Sequence, residues 1–224
     1  VNLRNGNQNH HLQFEDEKVV QRILQGDVGM FEILIRRYNP FLYKIGKTYG
    51  FSHQDIEDLM QDCYLSIYKN LEQFQERSSF KTWIAKIMLH LCYRNKQKSE
   101  RMKNAISEEQ SFFMSRKNEP FSQDGALVNK ELGTILDEAI QGIPLNLRKV
   151  FVMREINGLN TTETANLLQI TESNVKVRLS RAKEILRHKI GANYLPEELL
   201  DYHYSFCSPM VQKVMEKTVR QAKN

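Results

Sequence analysis

Ser173, Lys176, Val177, Arg178, Ser180, Arg181 and Lys183 are the side chains of this 224-residue chain whose types and spacing most directly suggest chemistry. Serine hydroxyls and Lys and Arg head groups donate hydrogen bonds to base edges and phosphates. Spacing sorts them. Val175, Leu179, Ala182 and Leu186 recur at intervals of four, three and four, which makes one buried helical stripe. With that stripe inward, Ser173, Val177, Ser180 and Arg181 face out, flanked by Lys176, Arg178 and Lys183. Between Lys176 and Lys189 lie six Lys or Arg against a single Glu184. Such a helix suits a major groove.

The elements that must position it are legible just upstream. Asn160 with Glu163 three residues on is a capping-box-like helix start. Ala165 and Leu168 give that first helix an inward face, Ile170 fills the turn, and Thr171 caps the basic helix. Two helices about a tight turn read as a helix-turn-helix, and hence as DNA binding. An amphipathic helix with a solvated basic face would share part of the pattern. Gln169 occupies the turn where such motifs often carry glycine, so the turn must accommodate a side chain.

The net charge of +5 fits a polyanionic partner, and its distribution is more informative than its sum. Basic residues cluster at Arg94–Lys103 and Lys176–Lys189, whereas Asp55, Glu57, Asp58 and Asp62 gather the acids. The three cysteines, Cys63, Cys92 and Cys207, are far apart and odd in number, which suits neither a disulfide framework nor a zinc site and points to a reducing cytosol. His203 and Cys207 stand one helical turn apart, but two ligands do not make a metal site. No apolar run approaches the ~18 residues of a membrane helix, and the N-terminus does not read as a signal peptide. Phosphate-loop, HExxH and nucleophile-elbow motifs are missing, so neither an enzyme nor a cofactor is expected.

Periodicity predicts an all-α protein of two helical domains. Residues 1–14, rich in Asn, Gln and His, read as a disordered tail. The first domain, 15–100, carries four helices. The first has Val19, Val20, Ile23 and Leu24 on one face, and Gly26-Asp27 ends it and caps a second bearing Phe31, Leu34, Ile35 and Tyr38. A third runs from about Gln54 to Leu71 with Ile56, Leu59, Met60, Cys63, Tyr64, Ile67 and Tyr68 inward. The fourth, from Phe80 to about Lys98, is apolar at Trp83, Ile84, Ile87, Met88 and Leu91 and then turns basic. Residues 101–131 lack a sustained period and are too long for an ordinary loop, so they read as a linker. The second domain, 132–190, opens with a helix through Ile135, Leu136, Ala139 and Ile140, ended by Gly142 and Pro144. Leu147, Val150, Phe151 and Ile156 make the next, before the helix-turn-helix. A tail, 191–224, places Val211, Val214, Met215 and Val219 on an amphipathic segment.

Two stretches together resemble the extracytoplasmic-function sigma factors, promoter-recognition subunits of bacterial RNA polymerase. DIEDLMQDCYLSIYKNLEQF followed by RSSFKTWIAKIMLHLCYRNKQK resembles the second conserved sigma domain, and IPLNLRKVFVMREINGLNTTETANLL with ITESNVKVRLSRAKEILR resembles the fourth. Asp55, Asp58 and Asp62 fall on one helix face, and the resemblance implies that this face, with Gln61, grips a basic coiled coil on the polymerase clamp. It further implies that His90, Tyr93, Arg94, Lys96 and Lys98 meet the −10 element, with Phe80 and Trp83 as core anchors. His90 departs from an asparagine common in the family, which leaves the preferred base open. Ser173, Lys176, Val177, Arg178, Ser180, Arg181 and Lys183 are assigned to the −35 element, with Arg178, Lys183 and Arg187 on phosphates. Thr164 replaces a usually apolar residue, implying looser packing of the first helix of the motif. The implied partners are core polymerase (clamp and flap), promoter DNA and an anti-sigma factor, with no membrane insertion. The tail resembles an extension ending in Cys-Asp, here Cys207-Ser208, that either modulates activity or completes the core. A stand-alone regulator binding duplex operators, or an adaptor mimicking these surfaces, remain the rival readings.

Overall fold

The computed structural model describes residues 14–107, 137–190 and 207–222. The tail expected at 1–14 apart from Phe14, most of the expected linker, Ile135, Leu136 and His203 lie outside them. Every regular element among the described residues is helical. In α1 (Asp16–Leu24) Val19, Val20 and Ile23 are buried, while Leu24, expected beside them, is 48% exposed. Gly26 breaks the helix at φ +100°, but Asp27 does not cap the next one; its carboxylate accepts from Arg22 at 2.6 Å. A 3-10 turn, Val28–Met30, leads into α2 (Phe31–Thr48), which continues through Pro40.

Ser52 caps α3 (His53–Lys69) by accepting from the Asp55 N–H at 3.2 Å, and Ser79 caps α4 (Phe80–Ser107) through the Thr82 N–H, also at 3.2 Å. α2 and α3 approach closely at Gly46, where an added Cβ would stand 2.8 Å from Ile56. Behind them Tyr38, Phe74, Phe80 and Trp83 pack with ring centroids 5.2 to 5.7 Å apart. Phe80 is fully buried at the start of α4, which anchors that helix and directs its basic half outward. α4 extends to Ser107, seven residues into the segment expected to be linker.

The second unit holds helical residues 137–141, α5 (Leu145–Phe151), α6 (Thr161–Leu168) and α7 (Glu172–Ile190). α5 widens into a π-type turn at Val152–Ile156, closed by the Asn157 N–H on the Val152 carbonyl at 2.8 Å. Asn160 and Glu163 form the full capping box, at 2.8 and 2.7 Å. Thr164 does not loosen α6. It is fully buried and its hydroxyl donates to the Asn160 carbonyl at 2.8 Å, so no polar atom is stranded. The turn itself is left-handed: Gln169 adopts φ 53° and ψ 48°, and its amide donates to the Asn166 carbonyl at 2.6 Å. Val150, Ala165 and Val175 form the small core beneath the turn, with Leu168, Ile170 and Leu179 around them. Leu167, not anticipated as inward, is buried in the larger core that joins both units.

That joint is polar as well as apolar. The Arg148 guanidinium donates to the carbonyls of Gln141 at 2.6 Å and Ile143 at 2.9 Å in its own unit and to Thr48 at the end of α2 at 3.1 Å. The Gln141 amide reaches the Lys47 carbonyl at 2.7 Å, and Lys81 of α4 reaches the Asn157 carbonyl at 2.6 Å. Finally, α8 (Cys207–Ala222) lies along α2 and α3, burying Cys207, Met210, Val211, Val214 and Thr218. Val219, expected on that stripe, is instead 37% exposed.

Two predictions concern stability. Asn160→Ala should lower unfolding free energy by about 1 kcal/mol, and Gln169→Val by about 1–2 kcal/mol because a β-branched residue resists the left-handed region. Urea titration checks both; Gln169→Gly should show no such loss. Arg148→Met should cost about 1–3 kcal/mol by stranding carbonyls at the joint, and an unchanged urea midpoint would contradict that role.

Candidate functional site

Three exposed helix faces carry the side chains singled out by sequence. On α7, Val175 and Ala182 are fully buried and Leu186 nearly so, while Leu179 is half-buried. The opposite side presents Ser173, Lys176, Val177, Ser180 and Arg181 to solvent. Val177 is 45% exposed at the centre of this face, apolar where the remainder is polar. Thr171 caps the helix, its hydroxyl accepting from the Asn174 N–H at 3.2 Å. A shallow groove lined by Lys176, Leu179, Ser180, Lys183 and Arg187 runs along one flank. Two of the expected residues are less accessible than spacing implies. Lys183 pairs with Glu155 of the π-type turn at 2.8 Å, and Arg178 is half-buried on the other flank.

On α4, His90, Tyr93 and Arg94 share one exposed face, one helical turn apart. Tyr93 is 52% exposed, and its hydroxyl accepts from the Gln97 amide at 2.6 Å, which steadies the ring. Lys98 is exposed to one side of this face, and Lys96 is half-buried to the other. The same face includes Lys86, Gln97 and Arg101, which sequence reading did not single out. Their signal was available: the helical period continues past the last apolar residue, adding Lys86 four before His90 and Arg101 eleven after it. The FKTWI segment supports rather than reads. Phe80 is buried, Trp83 is half-buried against it, and Lys81 lies 5.0 Å over the Phe41 ring. Burial lowers the pKa of Lys81, an effect Glu163 opposes.

α3 carries the acidic face. Asp58 and Asp62 are exposed. Asp55 is exposed too, but its carboxylate accepts from the Ser52 hydroxyl at 2.6 Å as part of the cap. Gln61 is not with them in solvent. It is 8% exposed beneath α8 and accepts from Lys217 at 3.0 Å. Glu57, on the same flank, lies 3.7 Å from Lys213.

Cys63, Cys92 and Cys207 are all buried and unpaired; burial pushes the Cys63 thiol well up and that of Cys92 up to about 12, so neither offers a thiolate. Among the described residues no group of three or more His, Cys, Asp or Glu could hold a metal ion. No helix there is long and apolar enough to cross a membrane.

Known proteins share this arrangement. The family profile for Sigma-70 region 2 matches residues 34–102, and that for Sigma-70, region 4 matches residues 134–186, together just over half of the chain. The chain is 25% identical over 183 residues to the ECF RNA polymerase sigma-E factor of Haemophilus influenzae, covering 80% of this chain and 96% of that protein. Its counterpart in Escherichia coli is 26% identical, with 80% and 95% covered. The RNA polymerase sigma-H factor of Pseudomonas aeruginosa is 25% identical, with 78% and 93% covered. Among solved structures, the sigma factor RpoE bound to the anti-sigma factor NepR from Bartonella quintana has a similar fold, with a TM-score of 0.54, 20% identity, and 72% of this chain and 95% of that one covered. CnrH in complex with the cytosolic domain of CnrY gives a TM-score of 0.56 at 18% identity, covering 80% and 99%.

Proposed function

Because the chain belongs to the extracytoplasmic-function group of the sigma-70 family and is a promoter-directing sigma factor, we propose how its three exposed faces divide that task. Asp58 and Asp62, with Asp55 and Gln61 beside them, grip the basic coiled coil of the core polymerase clamp. His90, Tyr93 and Arg94, with Lys96 and Lys98, take the −10 element, and Lys86, Gln97 and Arg101 extend that surface. Ser173, Lys176, Val177, Ser180 and Arg181 read base edges of the −35 element, and Arg178, Lys183 and Arg187 hold its phosphates. The polymerase flap then receives the second unit. One observation carries this reading: a single chain exposes an acidic helix face together with two basic ones. A regulator acting alone on duplex operators has no use for the acidic face.

Magnitudes explain why the task needs a larger assembly. Each stacking step broken costs about 1.4 kcal/mol, so opening about ten pairs costs well over 10 kcal/mol. Stacking one or two captured bases on groups such as Tyr93 and His90 returns about 1–3 kcal/mol each. Core polymerase supplies the remainder. Lys183 must also exchange its half-buried pairing with Glu155 for a phosphate, trading one ion pair for another. Solved relatives held by anti-sigma factors support an anti-sigma factor as a further partner of this chain. The setting for all of these partners is the cytoplasm, at the nucleoid.

Run-off transcription with sigma-free core polymerase on a pool of candidate promoters tests the reading. Transcripts should depend on this chain; their absence on every template would contradict it. Within the −35 surface, Arg181→Ala should cost about 1–3 kcal/mol and relax specificity. Arg187→Ala should weaken all sequences alike and flatten the salt slope of holoenzyme binding by about 0.9. If a salt and sequence series failed to separate the two variants, the base and phosphate assignments would be wrong.

A further inference from the structure

We propose that α8 is a built-in competitor of core polymerase, a basic amphipathic helix that occupies the α2/α3 groove, covers Gln61, and leaves when α3 is gripped. The proposal rests on the reading of Asp58, Gln61 and Asp62 as polymerase-facing.

Chemistry matches the two helices. α8 carries Lys213, Lys217 and Arg220 against a single Glu216, and α3 carries Asp55, Glu57, Asp58 and Asp62. Lys217 donates to Gln61 at 3.0 Å and Lys213 approaches Glu57 to 3.7 Å, while Met210, Val211 and Val214 fill the groove with at most 4% exposure. Any cationic helix that grips α3 through Asp58, Gln61 and Asp62 therefore meets a surface whose middle residue is already taken. A helix is about 10 Å across with its side chains, so a second one has no access to Gln61 while α8 lies over it. The two occupants exclude each other.

The contact is also built to open. Asn39 of α2 is fully buried beneath α8; its amide donates only to the Cys207 sulfur at 3.2 Å, and its carbonyl oxygen finds no partner among the described residues. A stranded acceptor makes the closed state less favourable than its apolar burial alone implies, because release returns that oxygen to water. The Lys213 side chain remains 51% exposed in its ion pair, so that bond holds weakly. Against these stands the tether: residues 191–206 join α7 to α8, which makes docking intramolecular and keeps the competitor at high effective concentration.

The test uses the full chain and core polymerase. Val214→Asp should expel α8, and Lys213→Glu with Lys217→Glu should weaken its docking while leaving the apolar stripe, and so the fold, intact. If α8 is docked in about 90–99% of free molecules, expulsion tightens polymerase binding by about 10- to 100-fold; the double charge variant should shift affinity the same way by less. Amide exchange across 207–222 should be slow in the free chain and fast once polymerase is bound. Equal affinities for all three proteins, or protection of 207–222 retained in the holoenzyme, would overturn the competitor role. Asp62→Lys separates that failure from failure of the underlying reading. If it leaves polymerase affinity unchanged, α3 is not the gripping face and the proposal falls with it.

Discussion

A helix returns to the same direction every 3.6 residues, and α3 has to serve three neighbours within that period. Ile56, Met60, Cys63 and Ile67 face the core and are almost completely buried. Each such side chain contributes roughly 1.5–3 kcal/mol by leaving water, so this face alone fixes the rotation of the helix. Everything else on α3 follows from that rotation. Glu57 and Gln61 are turned under α8, and Asp58 and Asp62 are left to solvent. A shift of one residue would move each of these groups by 100° and dismantle all three surfaces together.

The same logic places the two basic helix faces. Phe80 is locked among Tyr38, Phe74 and Trp83, which fixes where α4 starts and thus which side His90, Tyr93 and Arg94 present about three to four turns beyond. Val175 and Ala182 do this for α7. Arg148, Gln141 and Lys81 then tie the unit bearing α7 to the unit bearing α4. These hydrogen bonds to backbone carbonyls, each worth on the order of 1 kcal/mol net and more where the donor is charged, add to the apolar core that the two units share.

Periodic features were legible in the sequence because they are local. The buried stripe of α7, the Asn160–Glu163 capping box and the Thr171 cap all depend on residues within a few turns of one another. Features that depend on another helix were not. Nothing near Gln61 foretells Lys217, 156 positions away, and nothing near Lys183 foretells Glu155. Thr164 looked like a packing defect because its bond to the Asn160 carbonyl is invisible in a list of side-chain types. α4 outran its expected end because every residue from Arg94 to Arg101 is polar, and that stretch interrupts the apolar stripe that marks a helix in sequence. On α8 the stripe was read one residue late, with Val219 in place of Thr218, because hydropathy favours valine and the groove selects by position.

On the proposed function, the two basic faces are ineffective alone and specific together, once polymerase holds them. Equilibrium binding of the purified chain to promoter and scrambled duplexes, with and without core polymerase at one fixed salt concentration, addresses this directly. The free chain should bind both duplexes alike and weakly, with Kd of about 10⁻⁶ M or higher, whereas the holoenzyme should prefer the promoter by about 10³-fold or more. Tight, sequence-selective binding of one duplex by the free chain would contradict it.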